Sequence, residues 1–152
     1  MSERQGRVEA AYRADFPRLW RALYAYAGDA EIASDAAAEA FARAIRDEGT
    51  IRDVAAWTWR VAFRIAAAEL RRRSTPLPDA AGPYELPQPI PELVAALRTL
   101  SPNQRLAIVL HDYADRPTSE VADAIGCSKA TVHVHLSQGR RRLRALLEET
   151  DA

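Results

Sequence analysis

The stretch TSEVADAIGCSKATVHVHLSQGRRRLRALL, residues 118–147, decides how this chain is read. Glu120, Val121, Ala122 and Ile125 make a short amphipathic helix, which Gly126 breaks. Ser128 stands at an N-cap position and opens a second helix with Val132, Leu136, Leu143 and Leu146 along one face. A short helix, a glycine turn and a polar, basic second helix form the arrangement that enters a DNA major groove. Ser128, Lys129, Thr131, His133, His135 and Gln138 are then the candidates for base-edge or sugar contacts, with Arg140 and Arg141 on phosphate. Gly139 costs a helix interior about 1 kcal/mol against alanine. It either admits a close neighbour or is tolerated drift.

Working outward from that motif, the remainder also predicts helix. Glycine is scarce, β-branched runs are short and alanine is abundant, so the fold class is all-α. The first helical section covers Val8 to Ala27, with Pro17 starting a new helix or kinking one. Gly28-Asp29 is a stop followed by a cap, and a second helix runs to about Arg46 with Ile32, Ala36, Ala40, Phe41, Ala44 and Ile45 inward. Residues 47–52 read as a loop. Asp53 caps a third helix with Val54, Trp57, Val61, Ile65 and Ala68 inward, ending in Arg71-Arg72-Arg73. Trp59, two residues from Trp57, cannot share its face. It is either a stacking surface beside Arg60 or an ordinary packed indole.

Residues 74–91 hold six of the nine prolines, a density no packed helix tolerates. This predicts a flexible linker spanning roughly 50 Å at about 3 Å per residue. It divides the chain into a domain at 1–73 and another at 92–152. The second opens with Leu93, Val94, Leu97 and Leu100 on one helix. Ser101-Pro102-Asn103-Gln104 is a capping box with proline at the first helical position. Leu106, Val109, Leu110 and Tyr113 give the next helix its buried face.

The 152 residues are 48% hydrophobic and 28% charged, with a formal net charge of zero, which argues against a non-specific nucleic-acid coat. Distribution matters more than the sum. Residues 126–147 hold five basic side chains and no acid, and residues 60–73 hold five arginines against Glu69 alone. Two DNA-facing surfaces are expected, with acids such as Asp35 and Glu39 left for another partner. No apolar run reaches the roughly 18 residues a membrane helix needs. Residues 1–7 are polar, and the single cysteine, Cys127, permits no intrachain disulfide. A cytoplasmic protein is expected, without membrane insertion. His111, His133 and His135 lack companions at metal-ligand spacing, and no phosphate loop or nucleophile motif is present. No catalytic residue, metal, cofactor or small-molecule substrate is expected, and the chain does not read as an enzyme.

Taken together, the chain resembles the extracytoplasmic-function (group IV) sigma factors of bacterial RNA polymerase. Residues 11–19 look like that family's opening helix, and 35–41 with Ala44 look like its polymerase-binding helix. Residues 56–62 and 69–73 look like its promoter-melting helix. Residues 100–105, 120–122, 125–128 and 131–132, with the terminal arginines, look like its −35-reading domain. The resemblance implies that Asp35, Glu39 and Arg43 dock on the clamp of the polymerase largest subunit, with the flap of the second subunit as a further partner. Thr50, Ile51 and Arg52 would hold a flipped base, and Arg60, Arg64, Arg71, Arg72 and Trp59 would face the −10-like region. Residues 128–141 would read the −35-like element, and an anti-sigma factor would regulate the protein.

Several positions depart from the pattern. Ala38 stands where a glutamine is usual, Arg64 for an asparagine and Ala68 for an acid. Arg116-Pro117 replaces a leucine–serine pair, and His133 and His135 take places often held by lysine or arginine. Two other classes compete: a stand-alone helix-turn-helix regulator binding palindromes as a dimer, and a protein that mimics a sigma factor and sequesters its partner.

Overall fold

The structure, a computed structural model, describes residues 3–73 and 91–151, and every element within them is helical. The expected linker lies outside the described residues except for Pro91, which begins a helix. Helix α1 covers Glu3–Ala27, α2 Ala30–Asp47 and α3 Val54–Arg72. Helix α4 covers Pro91–Arg98 and α5 Pro102–Ala107, which continues as a π-helical segment, Ile108–Tyr113. The two helices of the opening motif are α6, Thr118–Ile125, and α7, Lys129–Asp151.

Local chemistry sets the boundaries. Gly28 takes φ +68, which L side chains rarely adopt, and ends α1. Asp29 Oδ1 then accepts from the Ile32 amide at 2.9 Å, and Asp53 Oδ1 from the Ala56 amide at 3.1 Å. Ser101 and Gln104 close the expected capping box, each bond 3.3 Å long.

Helices α1, α2 and α3 pack as a three-helix bundle, with α1 against both others. Alanines at 33, 36, 37, 40 and 44 are fully buried along α2 and allow close helix approach. The helix-turn-helix unit does not stand apart. Helix α4 and the π-helical segment pack on α1, and α6 packs on α3. The buried residues of both halves form one cluster, from Val8 to Leu136.

Three sequence expectations are corrected. Helix α1 continues through Pro17, so no new helix starts there. Its flanks bury Leu19, Trp20 and Leu23, and that burial outweighs the roughly 3 kcal/mol an internal proline costs. On α3 the most deeply buried stripe is Val54, Thr58, Trp59, Ala62, Phe63 and Ala66, with Trp57, Val61 and Ile65 only partly covered. Trp59 is therefore the more deeply buried of the two tryptophans, while Trp57 packs on the margin of the core, because α3 is apolar over more than one face. Ile45 and Tyr113 are exposed, at 52% and 38%.

Candidate nucleic-acid interface

Gly126, at φ +85, ends α6, and the Gly126 and Cys127 amides both donate to the Ala122 carbonyl, at 2.8 and 3.0 Å. Ser128 Oγ accepts from the Thr131 amide at 3.1 Å, so α7 starts where the sequence placed it. Val132 and Leu136 are fully buried and pin α7 to its module. Gly139 admits Ile108: a Cβ there would stand 3.0 Å from the Ile108 side chain. Of the two readings of Gly139, the structure selects the close neighbour.

That packing leaves Ser128, Lys129, Thr131, His133, Gln138, Arg140 and Arg141 exposed together. Two of them are tied to their own module. Gln138 accepts from Gln104 at 3.2 Å, and Arg140 makes a forked pair with Asp112 at 2.8 and 2.6 Å. The Asp112 carboxylate raises the Arg140 pKa further. His135 is half-buried, and its Nδ1 has no hydrogen-bond partner.

The second expected DNA surface is differently placed. Thr50 and Arg52 are exposed, whereas Ile51 is buried and its carbonyl accepts from Arg7 at 3.3 Å. Arg52, Trp57 and Arg60 line a cavity of about 270 Å³, which Glu120 and Asp123 of α6 also line. Arg60 is half-buried and its Nε lacks a partner. Trp59 is 2% exposed, stacks on Phe63 with rings 8° from parallel, and donates to Asp15 at 3.1 Å. Of its two readings the packed indole is observed, and in this arrangement no stacking face is open to a base. Arg64 donates to the Asp123 carbonyl at 2.9 Å, Arg72 pairs with Glu69, and Arg71 is exposed. The Arg72 hydrogen bond is the first cause, ahead of Arg73, that holds the Glu69 carboxyl below the usual range.

On α2, Asp35 is exposed and Glu39 accepts from Arg43 at 2.9 Å, with Arg46 at 3.5 Å. The Arg43 bond lowers the Glu39 pKa. Asp35, Glu39 and Glu69 share the border of a groove of about 610 Å³ between α2 and α3 with Arg72 and Arg73, and Ile32 and Ile65 also line it.

Sequence reasoning missed the arginines that join the two halves. Arg98 donates to the Gly28 carbonyl at 2.8 Å, and Arg105 to the Tyr26 carbonyl at 3.1 Å. Arg18 donates to the Ala114 carbonyl at 3.2 Å. Arg116 lies 5.0 Å from the Trp59 ring centre and forks onto Glu120. Arg116-Pro117 and Arg64, which also bonds across the halves, did stand out as departures, and those were the available signals.

Two helical bodies ending in a helix-turn-helix define the class, the sigma-factor fold. Residues 91–143 match the family description "Sigma-70, region 4". The chain is 31% identical to the ECF RNA polymerase sigma factor SigJ of Mycobacterium tuberculosis, over 84% of this chain and 47% of that protein. It therefore spans about half the length of that relative. The crystal structure of SigJ superposes with a TM-score of 0.67 at 28% identity, covering 88% of this chain and 52% of that one. The sigma factor RpoE of Bartonella quintana, solved with the anti-sigma factor NepR, superposes with a TM-score of 0.79 at 20% identity. That superposition covers 92% of this chain and 96% of RpoE, and it establishes the shared fold. The chain is thus a homologue of the extracytoplasmic-function sigma factors, as its motifs suggested. Among the described residues no helix is long and apolar enough to cross a membrane, and no cluster could hold a metal ion.

Proposed function

We propose that this chain is an RNA polymerase sigma factor: a specificity subunit, without chemistry of its own, that brings core polymerase to promoters and starts transcription. The observation that carries this is the region 4 match over residues 91–143, joined to a three-helix bundle that bears Asp35 and Glu39 on α2. Lys129, Thr131 and His133 read the −35-like element from the open end of α7. Arg60, Arg64, Arg71 and Arg72 hold the −10-like region, and the loop at Thr50–Arg52 receives an extruded base. Asp35, Glu39 and Arg43 dock on the polymerase clamp. An anti-sigma protein is the expected regulator, as for RpoE, which was solved bound to one. A dimeric operator-binding protein is not favoured, because the resemblance extends over both halves of the chain.

The test is reconstitution. Purified protein with core RNA polymerase should give specific initiation in run-off transcription. Asp35→Lys with Glu39→Lys should abolish core binding while the far-UV circular dichroism stays unchanged. Wild-type binding by that variant would overturn the docking role.

A further inference from the structure

A cavity of about 620 Å³ is lined by residues of α1, α3, α5 and α6, and its charge sets it apart. Arg64 and Arg71 of α3 and Arg105 of α5 line it, and no carboxylate stands among the described residues that do so. The cavity behind the 50–53 loop is different, because Asp53, Glu120 and Asp123 share its lining with arginines. The α2–α3 groove likewise carries Asp35, Glu39 and Glu69. Arg64 and Arg71 are two helical turns apart and so stand on one face of α3. Leu70, Leu106 and Ile125 add apolar surface to the same cavity, with the Tyr26 side chain.

These three cations lack a counter-charge. Among the described residues no carboxylate forms an ion pair with Arg64, Arg71 or Arg105. Arg64 and Arg105 donate only to uncharged acceptors, the Asp123 and Tyr26 carbonyls. Arg64 and Arg71 are exposed, whereas Arg105 is half-buried, 5.3 Å from the Tyr26 ring centre, and its Nε is buried without a partner. Burial is the first cause that lowers the Arg105 pKa; Tyr26 opposes that fall and the like charge of Arg98 adds to it. A cation taken partly out of water and left without an opposite charge is a group that an anion stabilises. Guanidinium forks match carboxylate and phosphate oxygens, and three of them exceed what one carboxylate neutralises. The volume falls within the roughly 300–1,000 Å³ of small-molecule pockets.

We propose that this cavity is a binding site for a small phosphorylated molecule. Arg64, Arg71 and Arg105 take its phosphoryl oxygens, and Leu70, Leu106 and Ile125 receive the less polar body that carries them. The site stands on the cavity and its charges, and does not rest on the sigma-factor reading. A polynucleotide offers the same phosphoryl chemistry, but walls drawn from four helices suit a compact ligand better than a continuous strand.

Isothermal titration calorimetry of the full chain, with pyrophosphate and with dimethylallyl diphosphate as probes, tests this. Both should bind one to one, the second several-fold more tightly because it adds an apolar body to the same two phosphoryl groups. Arg71→Gln and Arg105→Gln should each weaken both probes about tenfold or more, as expected for lost hydrogen bonds to a charged group. Arg13→Gln removes the same charge from the exposed Arg13–Glu9 pair on α1 and should leave both affinities unchanged. Pyrophosphate binding weaker than about 1 mM, or equal weakening by all three substitutions, would overturn the site. Dimethylallyl diphosphate binding no tighter than pyrophosphate would overturn the part given to Leu70, Leu106 and Ile125. Oligothymidylate that binds more tightly than either probe, displaces pyrophosphate and is weakened by Arg105→Gln would make the occupant a strand and overturn the small-molecule site. Arg105 also holds the Tyr26 carbonyl, so if Arg105→Gln does not fold, Arg71→Gln at its exposed position decides by the same titration.

Discussion

Helices α3 and α7 both present arginines and both were expected to face DNA, yet the molecule treats them oppositely. The polar face of α7 is open: Lys129, Thr131 and His133 are all exposed. On α3, Trp59 is buried, Arg64 is bonded to α6, and Arg72 is paired with Glu69. A surface that also serves as a packing surface shares its cations between two tasks. On α7 Arg140 is held by Asp112, while Lys129 and Arg141 stay exposed.

The contrast is broken most directly at Trp59. Its indole is buried, stacked on Phe63 and hydrogen-bonded to Asp15, so Trp59→Ala should cost about 3–5 kcal/mol in urea unfolding. A free stacking platform would instead show unchanged stability and weaker DNA binding. Next in size is Gly28→Ala. Its φ of +68 costs an L residue about 1–2 kcal/mol, and the added Cβ falls 2.4 Å from the Arg98 guanidinium. Equilibrium unfolding should show a lower midpoint at unchanged slope, and an unshifted midpoint would remove Gly28 from the list of required conformations.

Those two residues also mark where the sequence could and could not be read. Gly28-Asp29, Asp53, the Ser101–Gln104 box and Ser128 were legible because a cap is a local device: donor and acceptor lie three residues apart. The exposed candidates on α7 follow from the same locality, since Val132 and Leu136 fix which way the helix faces. The deeper burial of Trp59 than Trp57 was not legible because both stripes of α3 are apolar and periodicity cannot choose between them. Pro17 starts no new helix because tertiary burial overrode a local preference. The contacts between the halves were invisible for a different reason. Arg18, Arg64, Arg98 and Arg105 bond to backbone carbonyls, and a carbonyl has no letter in the sequence.

Smaller effects are expected on α7. Ser128→Ala removes the cap on the Thr131 amide and should cost about 1 kcal/mol. Lys129→Ala, at an exposed position, should leave stability within about 0.5 kcal/mol of wild type. On upstream-element DNA it should weaken binding and reduce the salt slope by about 1. A stability loss comparable to that of Trp59→Ala would show that α7 is a packing surface too.

The smallest effect sharpens the same contrast through pH. Helix α3 carries its own counter-charge in Glu69, held ionised first by Arg72 and then by Arg73, whereas residues 129–147 contain no acid. A carboxyl whose folded pKa lies below its unfolded value of about 4.3 adds stability that is present above that value. The contribution is lost as pH falls through the lower folded value. Melting temperature should therefore fall on acidification below about pH 4.3, and Glu69→Gln should flatten part of that fall while matching Arg72→Ala. Because the pair is open to solvent, added salt should shrink the difference. Identical acid limbs for wild type and Glu69→Gln would mean that the pair orients Arg72 without stabilising the fold, and that α3 is closer to α7 in character than its contacts indicate.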